Sequence, residues 1–523
     1  MRHRWMMLVL CAALALPPAG ASAQTFPVDD PVIEQMWQEG MEESSQAYRL
    51  AQALMDSVGP RLTGSPGYRA ANEWLVSMFQ RWGIDARNEQ YGTWMGWDRG
   101  ITHIDLVEPR VRSLEGMMLA WSPGTQGTVR GPVVALPETA DSAAFAAWLP
   151  QAADKFVLVS YPQPTCRTAE NWEEYATEES RERMQAERAA ADSAWDARIE
   201  SAGYTSRTLP AALERAGALG VVSSSWPGGW GVQRVFQART ERVPSVSLSC
   251  EDYGLLYRLA VHEQGPVIEV EAEATFEGEV PVFNTIAEIR GSEKPEEYIV
   301  LSAHLDSWDA ASGATDNGTG TITLLEAMRI LQAAYPNPKR TIVAGFWGGE
   351  EQGLIGSRAY AADHPEVVQG LQALFNQDNG TGRIVRISTQ GLTRAGEYFA
   401  RWLAQVPTEI ARHVDLDVPG RPGGGGSDYA SFLCYGAPSF FLYAHSWSYF
   451  PYTWHTNRDS FDKIVMDDLR NNATLFAMLA YLAAEEPEQM PRDRRVLPVS
   501  ERTGEQMTWP QCRDPRRSWG EGR

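Results

Sequence analysis

His304, Asp306, Asp316, Glu350, Glu351, Asp378 and His455 are imidazoles and carboxylates, the side chains that hold hard and borderline divalent ions. Zinc takes imidazole nitrogen and carboxylate oxygen, and a catalytic site keeps one position open for water. Two ions about 3.5–4 Å apart need a carboxylate that bridges them. Asp316 suits that task, because its loop Gly313-Ala314-Thr315-Asp316-Asn317-Gly318 is flexible enough to present both oxygens. His304 and Asp378 then complete one ion, and Glu351 and His455 the other. Asp306, two residues after His304 on an extended strand, points to the same face. It is expected to receive the other imidazole N–H and fix the tautomer. Glu350 cannot do the same job as its neighbour Glu351. It is left facing a water acidified by two cations, as a base that takes the proton and hands it to a leaving amine. A solvated helix N-terminus also favours paired acids, but Trp347-Gly348-Gly349 just before them argues for a built site.

Each of these residues alone is a weak signal. What gives the set weight is where it falls. Tyr298 to Ala303, Thr341 to Trp347 and Leu371 to Asn376 are short apolar runs of the kind that form buried strands, and Thr319 to Leu331 between them reads as a helix. Such alternation predicts a mostly parallel sheet covered by helices. Open sheets of this type place ligands at the carboxyl ends of their strands. The first run delivers His304 and Asp306, the second Glu350 and Glu351, the third Asp378.

Upstream, residues 30–83 read as helical. Asp30-Pro31 and Ser65-Pro66 each pair an N-cap with Pro at the first helical position, and Ala70, Trp74, Leu75, Met78 and Trp82 mark one buried face. A different texture runs from Gly116 to Phe276. Short β-like runs at Pro132 to Leu136, Phe156 to Val159 and Gly220 to Val222 alternate with turns, as in a smaller independent β-rich domain. Within it, Thr168 to Ser201 is a charged, solvated helical excursion.

Composition sets the outer bounds. The chain has 523 residues, 43% hydrophobic and 22% charged, which suits a folded protein of two or three domains. A formal net charge of −21 argues against nucleic acid, which needs clustered Lys and Arg. Residues 1–23 read as a signal peptide: Arg2 and Arg4, an apolar run from Trp5 to Leu16, then Ala21-Ser22-Ala23 before Gln24. This predicts an exported protein, periplasmic or secreted. No apolar run is long enough to span a bilayer. Cys166, Cys250, Cys434 and Cys512 remain after the signal. None forms a CxxC zinc pair; an exported protein can form disulfides, and four cysteines allow three pairings between which the sequence does not choose, while Cys250 and Cys434, in apolar runs, read as plain buried thiols. The tail beyond Glu486, rich in Pro and Arg, is expected to lie loosely on the surface.

The motifs around these residues resemble those of the co-catalytic zinc exopeptidases, the family of bacterial secreted aminopeptidases, glutamate carboxypeptidase II and carboxypeptidase Q. The carboxypeptidase Q branch is the nearest in pattern. The likeness rests on Gly59-Pro60-Arg61-Leu62-Thr63-Gly64-Ser65, His304-Leu305-Asp306-Ser307-Trp308-Asp309, Asp316-Asn317-Gly318, Glu350-Glu351-Gln352-Gly353, Asn376-Gln377-Asp378 and His455-Thr456-Asn457-Arg458-Asp459. It covers residues 30–485.

The resemblance implies a three-layer α/β/α sandwich of phosphorylase/hydrolase-like type with an inserted protease-associated domain. The expected division is signal 1–23, first part of the peptidase domain 24–115, insertion 116–276, peptidase domain 277–490 and tail 491–523. It also implies two Zn2+ ions held by His304, Asp316, Glu351, Asp378 and His455, with Glu350 as base and Asp306 in support. Some members of the family carry a tyrosine just before the last histidine that steadies the oxyanion; here Trp454 occupies that position and Tyr452 lies two residues earlier, so the oxyanion-stabilising residue stays open. The run Gly423 to Tyr429 resembles a family loop near the substrate, where Asp428 could hold an α-amine. The expected substrate is a short peptide or dipeptide. Amino-, carboxy- and dipeptidase action all stay open, as does the oligomeric state, a homodimer included. Two rivals share the fold: a glutaminyl-cyclase-type acyltransferase, and an inactive receptor-like ectodomain that would have lost its metal residues.

Overall fold

The computed structural model describes residues 26–521; the signal peptide expected at 1–23 lies outside them. The fold is mixed α/β around a large, mostly parallel central sheet. Leu371–Asn376, Lys294–His304 and Arg340–Trp347 lie side by side and parallel at its centre, with Trp347 beside His304 and Asn376 beside Ser302. Every residue of Arg340–Trp347 and Leu371–Asn376 is buried, as expected for strands covered on both faces. On one side the sheet continues through Ser439–Ala444, Ile384–Ser388 and Asp415–Asp417.

Helices cover it where the sequence places their caps. The Asp30 carboxylate accepts from Val32 N at 2.9 Å and starts Pro31–Met41; Ser65 Oγ accepts from Tyr68 N at 3.1 Å and starts Pro66–Arg81. Thr319–Ala334 is buried on all sides from Thr319 to Leu331, wedged against Met466–Glu485.

On the other side of the centre, Arg340–Trp347 pairs antiparallel with Val267–Ile289, which in turn pairs along its length with Asp85–Glu108. These two long strands form a ribbon whose far half joins a second group of strands. There Val129–Ala135, Phe156–Leu158, Gly220–Ser223 and Ser245–Leu248 run parallel, with Gly116–Met118 antiparallel at the edge. The charged excursion forms two helices, Ala169–Tyr175 and Glu178–Ser201.

Two expectations give way here. Cys250 and Cys434 are not thiols: disulfides join Cys166 to Cys250 and Cys434 to Cys512. An apolar neighbourhood suits a buried thiol and a buried disulfide equally, and the partners stand 84 and 78 residues away. Nor does the tail lie loosely. Its Trp519 is buried edge-on to Trp94, with ring centroids 5.3 Å apart, and tilted against Trp121 at 5.1 Å. Thr93 N donates to Arg517 O at 2.8 Å. This approach needs Gly92, since a Cβ there would sit 2.3 Å from that carbonyl.

Candidate metal centre

The three central strands end at one edge of the sheet, and the metal-type residues gather there. His304 is the last residue of its strand, Asp378 follows the end of Leu371–Asn376, and Glu350 follows Trp347 after a two-glycine turn. Gly349 in that turn has φ of +66°, a conformation open to glycine at little cost. Asp316 comes from the loop before Thr319–Ala334, and His455 from the turn after Tyr449–Tyr452.

Two groups of donors result. His304 Nε2 lies 3.1 Å from Asp378 Oδ1 and 3.5 Å from Asp316 Oδ1. His455 Nε2 lies 2.9 Å from Glu351 Oε2 and 3.2 Å from Asp316 Oδ2. Asp316 therefore turns one oxygen to each group, and within each trio the donor atoms lie within 4.8 Å of one another. Glu350 belongs to neither trio; its Oε2 stands 4.0 Å from His304 Nε2.

The electrostatics are those of a site that wants positive charge. Burial pushes the carboxyls of Glu350 and Asp378 up, Glu350 well above the usual range, and that of Glu351 to about 7. Burial acts the same way on Asp316, but His304 and His455 outweigh it and hold that carboxyl below the usual range. Burial pulls His455 down, yet Glu351 and Asp316 overcome it and lift the imidazole to about 10. Glu351 Oε1 and His455 Nδ1 are buried with no hydrogen-bond partner, and Asp316 Oδ2 meets only His455 Nε2, at 3.2 Å. Buried polar atoms are costly when unpaired. Imidazole and carboxylate donors left in that condition, in two trios sharing one aspartate, fit a pair of divalent ions.

Neighbouring side chains fix the donors. His304 Nδ1 lies 2.9 Å from the Asp306 backbone carbonyl and 3.6 Å from its carboxylate. The sequence reading gave that contact to the carboxylate. The turn after the strand instead brings the carbonyl closer, and the carboxylate accepts from Thr63 Oγ1 (3.1 Å), Glu350 N (3.2 Å) and Glu351 N (3.3 Å). Asp306 thus fixes the turn that carries both glutamates. Asp459 does the same for Asp316: its carboxylate accepts from Thr315 N at 2.8 Å and Asp316 N at 3.0 Å. Arg61, fully buried, donates to the carbonyls of Gly59, Leu305, Ser312 and Gly313 and so clamps the loops on both sides.

Asp428 is fully buried near Glu350; both its oxygens lack a partner, and burial raises its carboxyl to about 7. Tyr452 faces the turn at Gly229. The phenol set among the carboxylates is that of Tyr449, which the sequence reading did not single out. Burial, then Asp316, Asp378 and Glu351, push its pKa well above the ordinary value. Nothing in the spacing before His455 distinguishes it from Tyr452. The second strand group also reaches the site: Phe236 packs edge-on to Trp308 and to His455, at 5.5 and 5.2 Å between centroids.

Residues 284–480 match the model described as Peptidase family M28. Carboxypeptidase Q of Mus musculus is 27% identical over 452 residues, covering 86% of this chain and 87% of that protein. A Peptidase M28 precursor from Shewanella amazonensis SB2B superimposes with a TM-score of 0.64 at 24% identity, over 88% of this chain and 97% of that one. A zinc aminopeptidase from Bacillus subtilis does so with a TM-score of 0.54 at 18% identity, over 86% and 96%. The two solved structures share the fold. The resemblance read from the motifs is thus to the M28 peptidases, with carboxypeptidase Q among the relatives.

Proposed function

We propose that this chain, M28-like over 284–480 and similar to carboxypeptidase Q, is an exported dinuclear zinc exopeptidase acting on short peptides or dipeptides. One observation carries the reading: Asp316 presents one oxygen to each of two donor trios, with the free carboxylate of Glu350 alongside. His304, Asp316 and Asp378 would hold one zinc; Asp316, Glu351 and His455 the other. When bound, such a pair lowers the pKa of water and polarises a carbonyl.

The protein's own groups do the rest. Glu350, raised by burial, is suited to accept a proton from the attacking water and release it to the leaving amine. Asp306 holds the Glu350 backbone, and Asp459 and Arg61 hold the Asp316 loop, so the donors are positioned before substrate arrives. Asp428 is assigned to the substrate's α-amine, an occupant that would satisfy its two orphaned oxygens. Tyr452 is a second candidate for substrate contact, from its place in the turn before His455. Residues 116–276 act as an inserted protease-associated domain that narrows the approach, in a three-layer α/β/α frame. Filled donor positions favour an enzyme over a receptor-like relative. The two disulfides suit an oxidising compartment, periplasmic or extracellular.

Two measurements test this. Purified protein should carry about two zinc ions per chain, and Glu350→Gln should keep them while losing about 10²–10⁴ in rate. A Glu350→Gln variant with wild-type turnover would overturn the base assignment, and a protein active without metal would overturn the centre.

A further inference from the structure

Between the strand ends and the second strand group lies a cleft of ≈ 1170 Å³, with Glu351 on its wall beside Gln352, Trp308, Trp94 and Arg516. Arg516 comes from the C-terminal tail, four residues after the Cys434–Cys512 disulfide. Its guanidinium lies over the Trp94 ring, 4.9 Å from the centroid. It makes one long hydrogen bond, Nη1 to Gln352 O at 3.4 Å. Its Nε is buried with no partner, and among the described residues no carboxylate comes within ion-pair distance of it, Glu521 acting on it only from farther away. Gln352 is in the same condition: both its side-chain oxygen and nitrogen are buried and unpartnered, as is Trp308 Nε1.

Arg516 stands beside Gln352, the residue that follows Glu351. Orphaned donors converging on a cleft mark a place where a ligand completes the hydrogen bonding. A planar guanidinium fork fits a carboxylate through two parallel bonds. We propose that Arg516, with Gln352, receives the terminal carboxylate of the peptide substrate, so that the tail makes the site selective for a free C-terminus. This rests on the exopeptidase reading above and narrows it to carboxypeptidase or dipeptidase action.

The zinc-loaded full chain should be compared as wild type, Arg516→Met and Arg516→Lys. Methionine keeps an apolar stem over Trp94 and removes the charge. The substrates are Ala-Leu, Ala-Leu-amide and Ala-Glu-amide, the last carrying its carboxylate on a side chain. Arg516→Met should raise KM for Ala-Leu by roughly 10- to 100-fold, the size expected for a hydrogen-bonded charge. It should leave kcat and the amide's kinetics nearly unchanged, with Arg516→Lys in between. In the Glu350→Gln background, calorimetry should show Ala-Leu binding weakened by Arg516→Met and Ala-Leu-amide binding unaffected. Equal effects on acid and amide, no effect on either, or a loss confined to Ala-Glu-amide would each overturn the assignment. If the wild type cleaves none of the three, the exopeptidase reading falls and takes this proposal with it. If the wild type is active but the variant pattern is absent, only Arg516 is wrongly assigned.

Discussion

Glu350 and Glu351 are neighbours in the chain with different surroundings. Glu351 meets His455 at 2.9 Å, while Glu350 keeps its carboxylate outside both trios. That division, and the gathering of His304, Asp316, Asp378 and His455, were legible because donor residues at strand ends are rare by accident. The residues that hold them were less so. Asp306 was visible, but not the choice of its carbonyl over its carboxylate, which depends on a turn. Tyr449 and the donors of Arg61 depend on contacts far apart in sequence. Asp459 gives a test at this scale. Its carboxylate accepts two backbone N–H groups, and burial with the nearby Asp316 charge raises it to about 7. Asp459→Asn leaves one acceptor and turns an NH2 toward an N–H. Zinc affinity measured by chelator competition should fall by about 10–100-fold, as for other residues that orient metal ligands, with far-UV circular dichroism unchanged.

At the scale of elements, the apolar strands were readable because burial on both faces leaves near-continuous hydrophobic runs. Asp85–Glu108 was not. It is mostly polar, and its pairing with Val267–Ile289 slips register at Gln90/Gly92, Gly96/Trp97 and Arg99/Thr102, which breaks the two-residue alternation that marks a strand. This strand is also tied to the helix Ile355–Asp363 by His364, whose Nε2 lies 2.5 Å from Glu89 Oε1. The contact raises the His364 pKa; on Glu89, burial pushes up but His364 outweighs it and leaves the carboxyl lowered. The signs set a window. The histidine's contribution is full below its unfolded pKa of about 6.5 and fades as pH rises through its folded value; the glutamate's is full above about 4.3 and fades as pH falls through its own. His364→Ala should therefore cost more stability near pH ~5.5 than near pH ~9, by urea unfolding, and the partly exposed site keeps the difference to about 1 kcal/mol or less.

For the whole molecule, the cysteines count for more than their number suggests. Each disulfide closes a long loop, and the chain-entropy model assigns such a link up to about 4–5 kcal/mol. Cys512 is exposed, so mild reductant should open Cys434–Cys512 before Cys166–Cys250, whose Cys250 is buried. The expected outcome is a two-step fall in Tm with increasing reductant, and a Cys434→Ser/Cys512→Ser double variant that reproduces the first step. The sequence supplied the cysteines and the tail, but not the link that brings the tail back to the cleft, because no local pattern encodes a partner so remote.

The long ribbon has a mechanical consequence. Val267–Ile289 starts beside Val129–Ala135 and finishes beside Arg340–Trp347, so the two strand groups are joined by paired backbone rather than by a slack tether. Any widening of the groove between them must bend that ribbon, and the softest places to bend are its register slips near Gly96 and Gly278, the latter at φ of +78°. Paired backbone of this kind acts as a leaf spring rather than a hinge, so the width of the groove is tied to the curvature of the two strands.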